Sequence, residues 1–234
     1  MIFKDRKHAG HALAKMLAKK AGRNAIVVAL PKGGIEVGIE VAKTLKLDFD
    51  FLCVKKIGLP FDSEIGIGAI AEGGATYENF VISRDLNVTP REFAEWKQAT
   101  EYKLEVERKH LRAAYKKRDW TGKTIILVDD GLATGATANA AILQLKKENV
   151  KNIILAIPVA PPEVISHLKQ EFRHVEIVCI SMPINFMAVA QFYESFGQIE
   201  WEHALDMFEE LDKKSKTAAA KKRKKSPAKR PDLV

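Results

Sequence analysis

Apolar runs of strand length alternate with amphipathic segments of helix length along most of this sequence, and that alternation limits the fold more than any other feature does. The strand-like runs lie at residues 25–30, 49–57, 124–128, 152–157 and 176–180. Helical spacing of apolar residues predicts helices at 8–21, 35–45, 90–117, 136–148 and 162–172. Strands joined by crossover helices form parallel sheets. The sequence therefore predicts an α/β fold with a parallel sheet of about five strands, flanked by helices.

Three smaller features complete the predicted organisation. Residues 66–71 and 77–82 have the composition of a pair of short strands. Thr89 is a predicted N-cap, because Pro90 follows it at the first helical position. Residues 182–211 form an aromatic-rich segment near the C-terminus.

Charge divides the chain into a domain and a tail. At 234 residues, 47% of them hydrophobic, the chain can bury one substantial core without a second domain. Its net charge is +8, but residues 213–234 alone hold ten Lys or Arg against one acid. We therefore expect one domain over residues 1–212 and a disordered basic tail over residues 213–234.

The cysteines and the apolar stretches indicate a cytoplasmic protein. Cys53 and Cys179 each stand in a short apolar run, where a thiol behaves as a small buried hydrophobe. Lysines interrupt the N-terminal apolar segment, so it does not match a secretory signal. No apolar stretch has the length of a membrane span, and we expect no membrane contact.

Two adjacent acids follow the predicted strand at 124–128. The carboxyl end of such a strand opens into the crevice where α/β sheets bind ligands, so Asp129 and Asp130 can contact a polyol or a metal. The next residues are small and lead into a helix: Gly131, Leu132, Ala133, Thr134, Gly135, Ala136 and Thr137. Small side chains let backbone N–H groups approach a phosphate, and the helix N-terminus adds positive partial charge. The segment predicts a site for a phosphorylated sugar; an ordinary strand-to-helix turn is the alternative.

Residues 128–137 closely resemble the motif with which type I phosphoribosyltransferases bind 5-phosphoribosyl-1-pyrophosphate (PRPP). In that family the positions matching Asp129 and Asp130 bind the ribose hydroxyls, and those matching 132–137 hold the 5′-phosphate. The resemblance implies the type I phosphoribosyltransferase fold, with a small C-terminal hood over residues 182–211. It also implies Mg²⁺ bound at Asp129 and Asp130 through water. The expected reaction transfers the phosphoribosyl group to a nucleobase-like nitrogenous acceptor and releases pyrophosphate.

A second loop and a lysine pair complete the predicted PRPP site. Lys32, Gly33 and Gly34 follow the first strand, and in the resembled family the matching loop binds the pyrophosphate. Many relatives have Arg at the position of Lys32; Lys lacks the bidentate fork but keeps the charge. Lys55 and Lys56 end the predicted second strand at the same sheet edge and are further candidates for pyrophosphate binding. Alternation along a strand points at most one of them at the site, and a solvated lysine pair is the alternative.

The resemblance extends over most of residues 3–205, to a family of predicted phosphoribosyltransferases of unsettled substrate. The matching stretches are Phe3–Arg6, Leu30–Gly34, Ile65–Gly74, the acid-pair loop and Phe186–Tyr193. Residues 58–74 match the family's flexible catalytic loop, where Glu64 and Glu72 are the acids. Ala133 stands where 6-oxopurine enzymes have an Asp near the base N7, which argues against hypoxanthine or guanine as the acceptor.

Other binding motifs fail on their context. Gly122-Lys123-Thr124 matches the end of a nucleotide-binding P-loop, but a strand follows it instead of a helix. Residues 66–71 match a dinucleotide fingerprint by letter, yet Gly73 and Gly74 would break the helix that must follow. His8 and His11 lie one helical turn apart without a third metal ligand.

A regulatory protein is the alternative from another functional class. Some proteins of this fold use PRPP as a signal in nucleic-acid regulation, and the tail at 213–234 could contact phosphate backbones without sequence preference. A solubilising disordered tail explains the same composition. The sequence leaves the oligomeric state open, with a homodimer among the assemblies that fit.

Overall fold

The computed structural model describes residues 1–60, 66–208, 210 and 211. Its helices are α1 (Arg6–Leu17), α2 (Gly33–Leu45), α3 (Phe80–Asp85), α4 (Pro90–Ala114), α5 (Ala136–Leu145) and α6 (Pro162–Glu171). Its strands are β1 (Ala25–Ala29), β2 (Asp48–Phe51), β3 (Val54–Gly58), β4 (Gly66–Ala71), β5 (Thr76–Glu78), β6 (Thr124–Val128), β7 (Asn152–Val159) and β8 (Glu176–Ser181). Val189–Phe192 form a short 3-10 helix, and residues 201–208 are helical.

Five strands form a parallel sheet in the order β2-β1-β6-β7-β8, which confirms the predicted α/β fold. Every residue of β1 is buried, as the continuous apolar run predicts for a strand covered on both faces. Alternate side chains pack against α1 and α2 on one face and against α5 and α6 on the other. Ala29 pairs with Val128, so the carboxyl ends of β1 and β6 lie side by side and their loops can form one site.

The second sheet is antiparallel, with the order β3-β4-β5. The predicted single strand over 49–57 is therefore wrong: the chain leaves the parallel sheet after Phe51, and β3 begins at Val54 in the other sheet. Leu52 and Cys53, between the two strands, are both buried. The apolar pattern continues through the break and conceals it, because burial does not distinguish one sheet from another.

Capping residues set several element boundaries. The strand over 66–71 is confirmed, but the strand predicted over 77–82 ends early because Asn79 caps α3 with its side chain. The predicted cap of α4 is confirmed: Thr89 and Glu92 form a reciprocal capping box ahead of Pro90. Both α4 and α5 end about one turn earlier than predicted, within the usual uncertainty of helix ends.

Arg112 of α4 connects the two sheets. Its guanidinium donates to Asp50 Oδ1 of β2 at 2.7 Å and to Glu72 Oε1, directly after β4, at 2.6 Å. Its Cζ also lies 3.9 Å from the centroid of the Phe51 ring. Asp50 is fully buried and accepts further hydrogen bonds from the Trp120 indole and from two backbone N–H groups. Buried charges require this kind of full pairing, and here the pairing fixes the small sheet against β2.

Residues of the predicted hood occupy two places. Val189 lies against the loop that follows β6, where a Cβ added at Gly131 would come within 2.6 Å of its Cγ1. The helical residues 201–208 lie instead beside β2, and Phe208 stacks on Phe51 with 5.1 Å between ring centroids. The predicted tail over 213–234 lies outside the described residues. Across the part of the chain that the structure describes, no helix combines the length and the apolarity needed to cross a bilayer.

Both cysteines are free thiols, and neither is exposed. Cys53 is buried, as its apolar run predicts, whereas Cys179 is only half-buried. Burial raises the pKa of Cys179 to about 11 and raises that of Cys53 further. Both thiols are protonated at neutral pH and act as packing residues.

Candidate functional site

The acid pair lies at the carboxyl end of β6, in the centre of the parallel sheet. Asp129 and Asp130 follow the last strand residue, Val128, and both side chains are half-buried. Each has one oxygen in a contact with the protein: Asp129 Oδ1 accepts from the Asp130 backbone N at 2.9 Å, and Asp130 Oδ2 accepts from Arg6 Nε at 2.8 Å. Asp129 Oδ2 and Asp130 Oδ1 have no hydrogen-bond partner among the described residues, so one oxygen of each acid remains for a ligand.

Burial determines the electrostatics of this pair. It raises the pKa of Asp129 well above its usual value, and the charge of Asp130 beside it raises that pKa further. Burial also raises the pKa of Asp130, but the Arg6 guanidinium opposes the shift. Two adjacent buried acids are costly to ionise together, and a cation or several hydrogen-bond donors would relieve that cost. Perturbed acids in a crevice are typical of functional sites.

The sequence reasoning did not identify Arg6 as a site residue. The Arg6 side chain donates from Nη1 to Gly197 O at 2.8 Å, in addition to its bond with Asp130, and its Cζ lies 3.9 Å from the Phe196 ring centroid. Tyr193 also contacts the acid pair, donating from its hydroxyl to Asp130 O at 2.6 Å. Arg6 and Tyr193 both stand in stretches quoted for the family resemblance, but only the tertiary structure shows that they meet at Asp130.

The loop from Gly131 to Thr137 joins the acid pair to α5. Leu132 anchors it, since its side chain is buried and its backbone N donates to Val159 O at 3.0 Å. Gly135 directly precedes the helix with φ of +75°, a conformation that favours glycine. The first N–H groups of an α-helix have no acceptor within the helix, so this loop offers N–H donors and positive partial charge to an anion.

A cavity of about 350 Å³ opens over this loop. All residues from Gly131 to Thr137 line it, together with Lys56 and residues 187–189. The loop into α5 thus forms one wall of the cavity, Lys56 belongs to a second, and the C-terminal segment forms a third. This combination of donors and cations suits a phosphate group.

The loop Lys32-Gly33-Gly34 lies directly against the acid pair. A Cβ added at Gly33 would be 1.8 Å from Asp130 Oδ2, and one at Gly34 would be 2.8 Å from Val128 O. Side chains at these two positions would therefore collide with the acids or with β6, and glycine is required. The Lys32 Nζ is 5.1 Å from the centroid of the Trp201 ring.

Lys55 and Lys56 belong to β3 of the small sheet, so the prediction that they end the second strand of the parallel sheet is wrong. Their side chains point in opposite directions, as strand alternation requires. Lys56 lines the cavity over the acid-pair loop. Lys55 donates to Glu107 Oε1 of α4 at 2.5 Å and lines a smaller cavity of about 110 Å³ together with Lys32. The two lysines thus serve different cavities.

The segment predicted as a flexible catalytic loop, residues 58–74, is only partly described. Residues 61–65, including Glu64, lie outside the described residues. Residues 66–71 form β4 in the small sheet, which is a regular strand and not a loop. Glu72 is buried and pairs with Arg112, so its carboxylate is engaged in the contact between the sheets.

Oxygen donors define what metal this site could hold. Within the described residues no group of three or more His, Cys, Asp and Glu side chains is arranged to ligate a metal. Asp129 and Asp130 nevertheless offer hard oxygen atoms, which Mg²⁺ prefers, and Mg²⁺ commonly binds through one or two carboxylates plus water and phosphate oxygens. The donor set therefore fits Mg²⁺ that arrives with a phosphorylated ligand. It does not fit an all-protein metal cage.

The comparisons with known proteins agree with one another. A family model described as the phosphoribosyl transferase domain matches residues 3–193. Two Mycobacterium tuberculosis proteins provisionally named phosphoribosyl transferases are each 37% identical to the chain over 199 residues, 84% of the chain and 44% of each of those proteins. A uracil phosphoribosyltransferase of Lactobacillus delbrueckii is 34% identical over 80 residues, 34% of the chain and 38% of that protein.

The solved structures include a protein of the same overall shape. The crystal structure of TT1426 from Thermus thermophilus superposes with a TM-score of 0.75 at 33% identity, covering 90% of this chain and 99% of that one. The chain spans less than half the length of the Mycobacterium tuberculosis relatives, at 44%.

Proposed function

The chain belongs to the phosphoribosyl transferase domain family, and from that premise we propose that it binds PRPP and transfers its phosphoribosyl group to a nitrogenous acceptor. The observation that carries this proposal is the pair of half-buried acids directly before a loop of small residues that leads into the N-terminus of α5. A phosphorylated pentose presents the complementary groups, because its hydroxyls donate to carboxylates and its phosphate accepts from N–H groups.

The 5′-phosphate binds in the cavity over the loop from Gly131 to Thr137. The backbone N–H groups there donate to the phosphate oxygens, and the hydroxyls of Thr134 and Thr137 add two donors. Lys56, across the same cavity, contributes a full positive charge. Charge-assisted hydrogen bonds of this kind are about twice as strong as neutral ones, so the phosphate anchors the donor substrate.

The ribose hydroxyls bind to the oxygens of the acid pair that the protein leaves without a partner. Asp129 Oδ2 and Asp130 Oδ1 accept from the vicinal hydroxyls. This assignment follows from the order of the segment, since a sugar phosphate spans from the loop to the acids that precede it. The two carboxylates also stabilise positive charge that develops on the sugar when the glycosidic bond breaks.

Mg²⁺ fits this arrangement as the partner of the pyrophosphate. Asp129 and Asp130 would hold it, through water and together with ligand oxygens. When bound, the cation neutralises charge on the leaving pyrophosphate. The loop Lys32-Gly33-Gly34 adjoins the same acids and supplies backbone donors and an ammonium group for the pyrophosphate.

The protein's part in the reaction is mainly electrostatic. The acids face the sugar, on which positive charge develops, while Lys32 and the Gly33-Gly34 backbone face the leaving group, on which negative charge develops. A nitrogenous acceptor attacks C1 as pyrophosphate departs, forming one C–N bond and breaking one C–O bond. Ala133 provides no carboxylate for the N7 side of a purine, so we expect hypoxanthine and guanine to be poor acceptors.

An acceptor screen tests the proposal. Purified full-length protein is incubated with PRPP, Mg²⁺ and single nitrogenous acceptors, among them uracil, adenine, hypoxanthine and simple amines, and the products are identified by mass spectrometry. We expect one acceptor class to gain a phosphoribosyl group with release of one pyrophosphate. The double variant Asp129→Asn, Asp130→Asn should lose this activity.

A matched control separates the site from general effects of charge. The double variant Asp85→Asn, Asp119→Asn removes two acids that lie outside the site, and it should keep full activity. Binding of PRPP without turnover of any acceptor in a broad panel would contradict the transferase and leave PRPP binding alone.

A further inference from the structure

Arg6 is a buried cation whose contacts the proposed transfer does not yet explain. It lies in the first turn of α1 with only 6% of its surface exposed. A guanidinium removed from water carries a large desolvation cost unless its donors are paired. The pairing partner is Asp130, which stands 124 residues later in the sequence.

Three contacts fix the plane of the Arg6 guanidinium. Nε donates to Asp130 Oδ2 at 2.8 Å, and Nη1 donates to Gly197 O at 2.8 Å. The Phe196 ring covers the guanidinium face, with 3.9 Å from Cζ to the ring centroid. Because the guanidinium is rigid and planar, these contacts orient the Asp130 carboxylate as well.

Asp130 is held at its backbone by the same region of the chain. The Tyr193 hydroxyl donates to Asp130 O at 2.6 Å, and Tyr193 forms an isolated parallel bridge with Phe3. The N-terminal segment and residues 193–197 therefore approach Asp130 together. The hydrogen bond from Tyr193 fixes the Asp130 backbone, and the ion pair with Arg6 fixes the Asp130 side chain.

We propose that Arg6 is a positioning residue of the donor site, which holds Asp130 so that Oδ1 faces the ribose hydroxyls, and which links this orientation to residues 193–197. The inference rests on the proposed function, since it assigns the ribose of PRPP to the acid pair. Arg6 contacts no substrate in this account. It acts through Asp130, and its effect should appear in the recognition of the sugar hydroxyls and not in the recognition of the phosphate.

Two sugar phosphates that differ in one hydroxyl test this assignment. Calorimetric titration of the full chain with ribose 5-phosphate and with 2-deoxyribose 5-phosphate, both with Mg²⁺, gives the preference for the 2-hydroxyl. The wild-type protein should prefer the ribose by about tenfold, the value of one charge-assisted hydrogen bond. In Arg6→Gln the preference should fall to about twofold or less, while the affinity for 2-deoxyribose 5-phosphate stays near that of the wild type.

Two further variants separate positioning from stability. Asp5→Ala removes the N-cap of α1, whose side chain accepts from His8 N at 2.7 Å, but leaves the Arg6 contacts in place. Asp5→Ala should weaken α1 but keep the full preference for ribose 5-phosphate over 2-deoxyribose 5-phosphate. Arg6→Lys keeps the charge but cannot contact both Asp130 and Gly197, so it should show an intermediate preference, and it replaces Arg6→Gln if that variant does not fold.

The outcomes distinguish this inference from the proposed function. A wild-type preference that Arg6→Gln or Arg6→Lys retains in full overturns the role of Arg6 and leaves the proposed function standing. Equal loss of preference in Asp5→Ala shows a merely structural role and also overturns it. A wild-type protein that binds neither sugar phosphate contradicts the proposed function itself, and the inference fails with it.

Discussion

At the scale of single residues, Asp129 and Asp130 have the same side chain but differ in their pairing. Asp129 is half-buried and has no cation in contact, whereas Asp130 is paired with Arg6. Functional sites commonly keep such unfavourable groups because the ligand compensates them. The two acids should therefore respond in opposite directions to the same neutral replacement.

We expect Asp129→Asn to stabilise the protein at neutral pH by about 1 kcal/mol, because it replaces an acid whose raised pKa makes its ionisation unfavourable in the folded state. Asp130→Asn should destabilise it by about 3 kcal/mol, since it leaves Arg6 buried without its partner. Urea unfolding of both variants at pH 7 measures the difference. Destabilisation by both replacements to the same extent would contradict the asymmetry.

The raised pKa values also predict how stability depends on pH. In the folded state Asp129 binds a proton at higher pH than in the unfolded state, because burial and Asp130 raise its pKa. As pH rises above the unfolded value, the folded state holds more protons than the unfolded state, so the contribution of this group to stability falls. The measurement is the free energy of unfolding of the wild type and of Asp129→Asn between pH 4 and pH 8, roughly the range above the unfolded pKa. The difference between the two free energies should grow as the pH rises.

Ligand affinity should have the opposite pH dependence. Ribose hydroxyls and Mg²⁺ need the ionised carboxylates, so PRPP binding should weaken as pH falls through the raised pKa of the acid pair. Titration of PRPP with Mg²⁺ at several pH values measures this directly. An affinity that is constant over that range would show that the acids do not contact the ligand in their ionised form.

Gly33 tests how closely the second loop approaches the acids. A methyl group there would lie 1.8 Å from Asp130 Oδ2, so Gly33→Ala must displace the carboxylate or the loop. We expect PRPP affinity to fall at least about tenfold and stability to fall by about 1–3 kcal/mol. Gly197→Ala is the control, because an added Cβ there meets no atom within 4 Å, and it should change stability by less than about 0.5 kcal/mol.

At the scale of elements, the contact between the two sheets depends on one helix. Arg112 of α4 binds Asp50 of β2 and Glu72 after β4, and all three side chains are largely buried. Removing the guanidinium would leave two buried carboxylates without a cation. This arrangement holds the small sheet, and with it Lys56, beside the acid-pair loop.

Arg112→Gln should therefore destabilise the protein by about 3 kcal/mol, as expected for a broken buried ion pair. Arg108, one turn earlier on the same helix, pairs with Glu105 at the surface and provides the control. Arg108→Gln should cost no more than about 0.5 kcal/mol. Denaturant unfolding measures the stability of both variants. Similar losses of stability in the two would mean that Arg112 does not hold the sheets together.

The elements also show what could be predicted from the sequence. The five parallel strands were predictable, because each is an apolar run between helical segments, and so was the cap at Thr89. The division of residues 49–57 between two sheets was not, since Leu52 and Cys53 are buried and continue the apolar pattern. The end of β5 was in principle visible, because Asn79 is a favoured helix-capping residue.

The site was predictable to the extent that it is local in sequence. The acid pair and the loop to Thr137 form one segment, and the turn at Gly33 follows a recognisable strand. Arg6 was not predictable as a partner of Asp130, because neither residue carries a signal of the other 124 positions away. Strand alternation predicted that Lys55 and Lys56 point in different directions. That Lys56 is the one beside the acid-pair loop follows from the position of the second sheet, which the sequence did not show.

At the scale of the whole molecule, the parallel sheet brings two loops to one edge and the C-terminal segment covers part of it. The loop after β1 adjoins the acids after β6. The Tyr193 hydroxyl donates to Asp130 O, and Val189 lies against Gly131, the residue after the acids. The chain matches the phosphoribosyl transferase domain from residue 3 to residue 193, so the whole of this arrangement lies within the family match.

Titration of PRPP into the full-length protein with Mg²⁺ tests the central claim most directly, because it requires no knowledge of the acceptor. We predict saturable binding at one site per chain, and a loss of binding in the Asp129→Asn, Asp130→Asn double variant while Asp85→Asn, Asp119→Asn binds as the wild type does. Absence of binding to the wild type, or equal binding to the acid-pair variant, would contradict the assignment of this loop as the PRPP site.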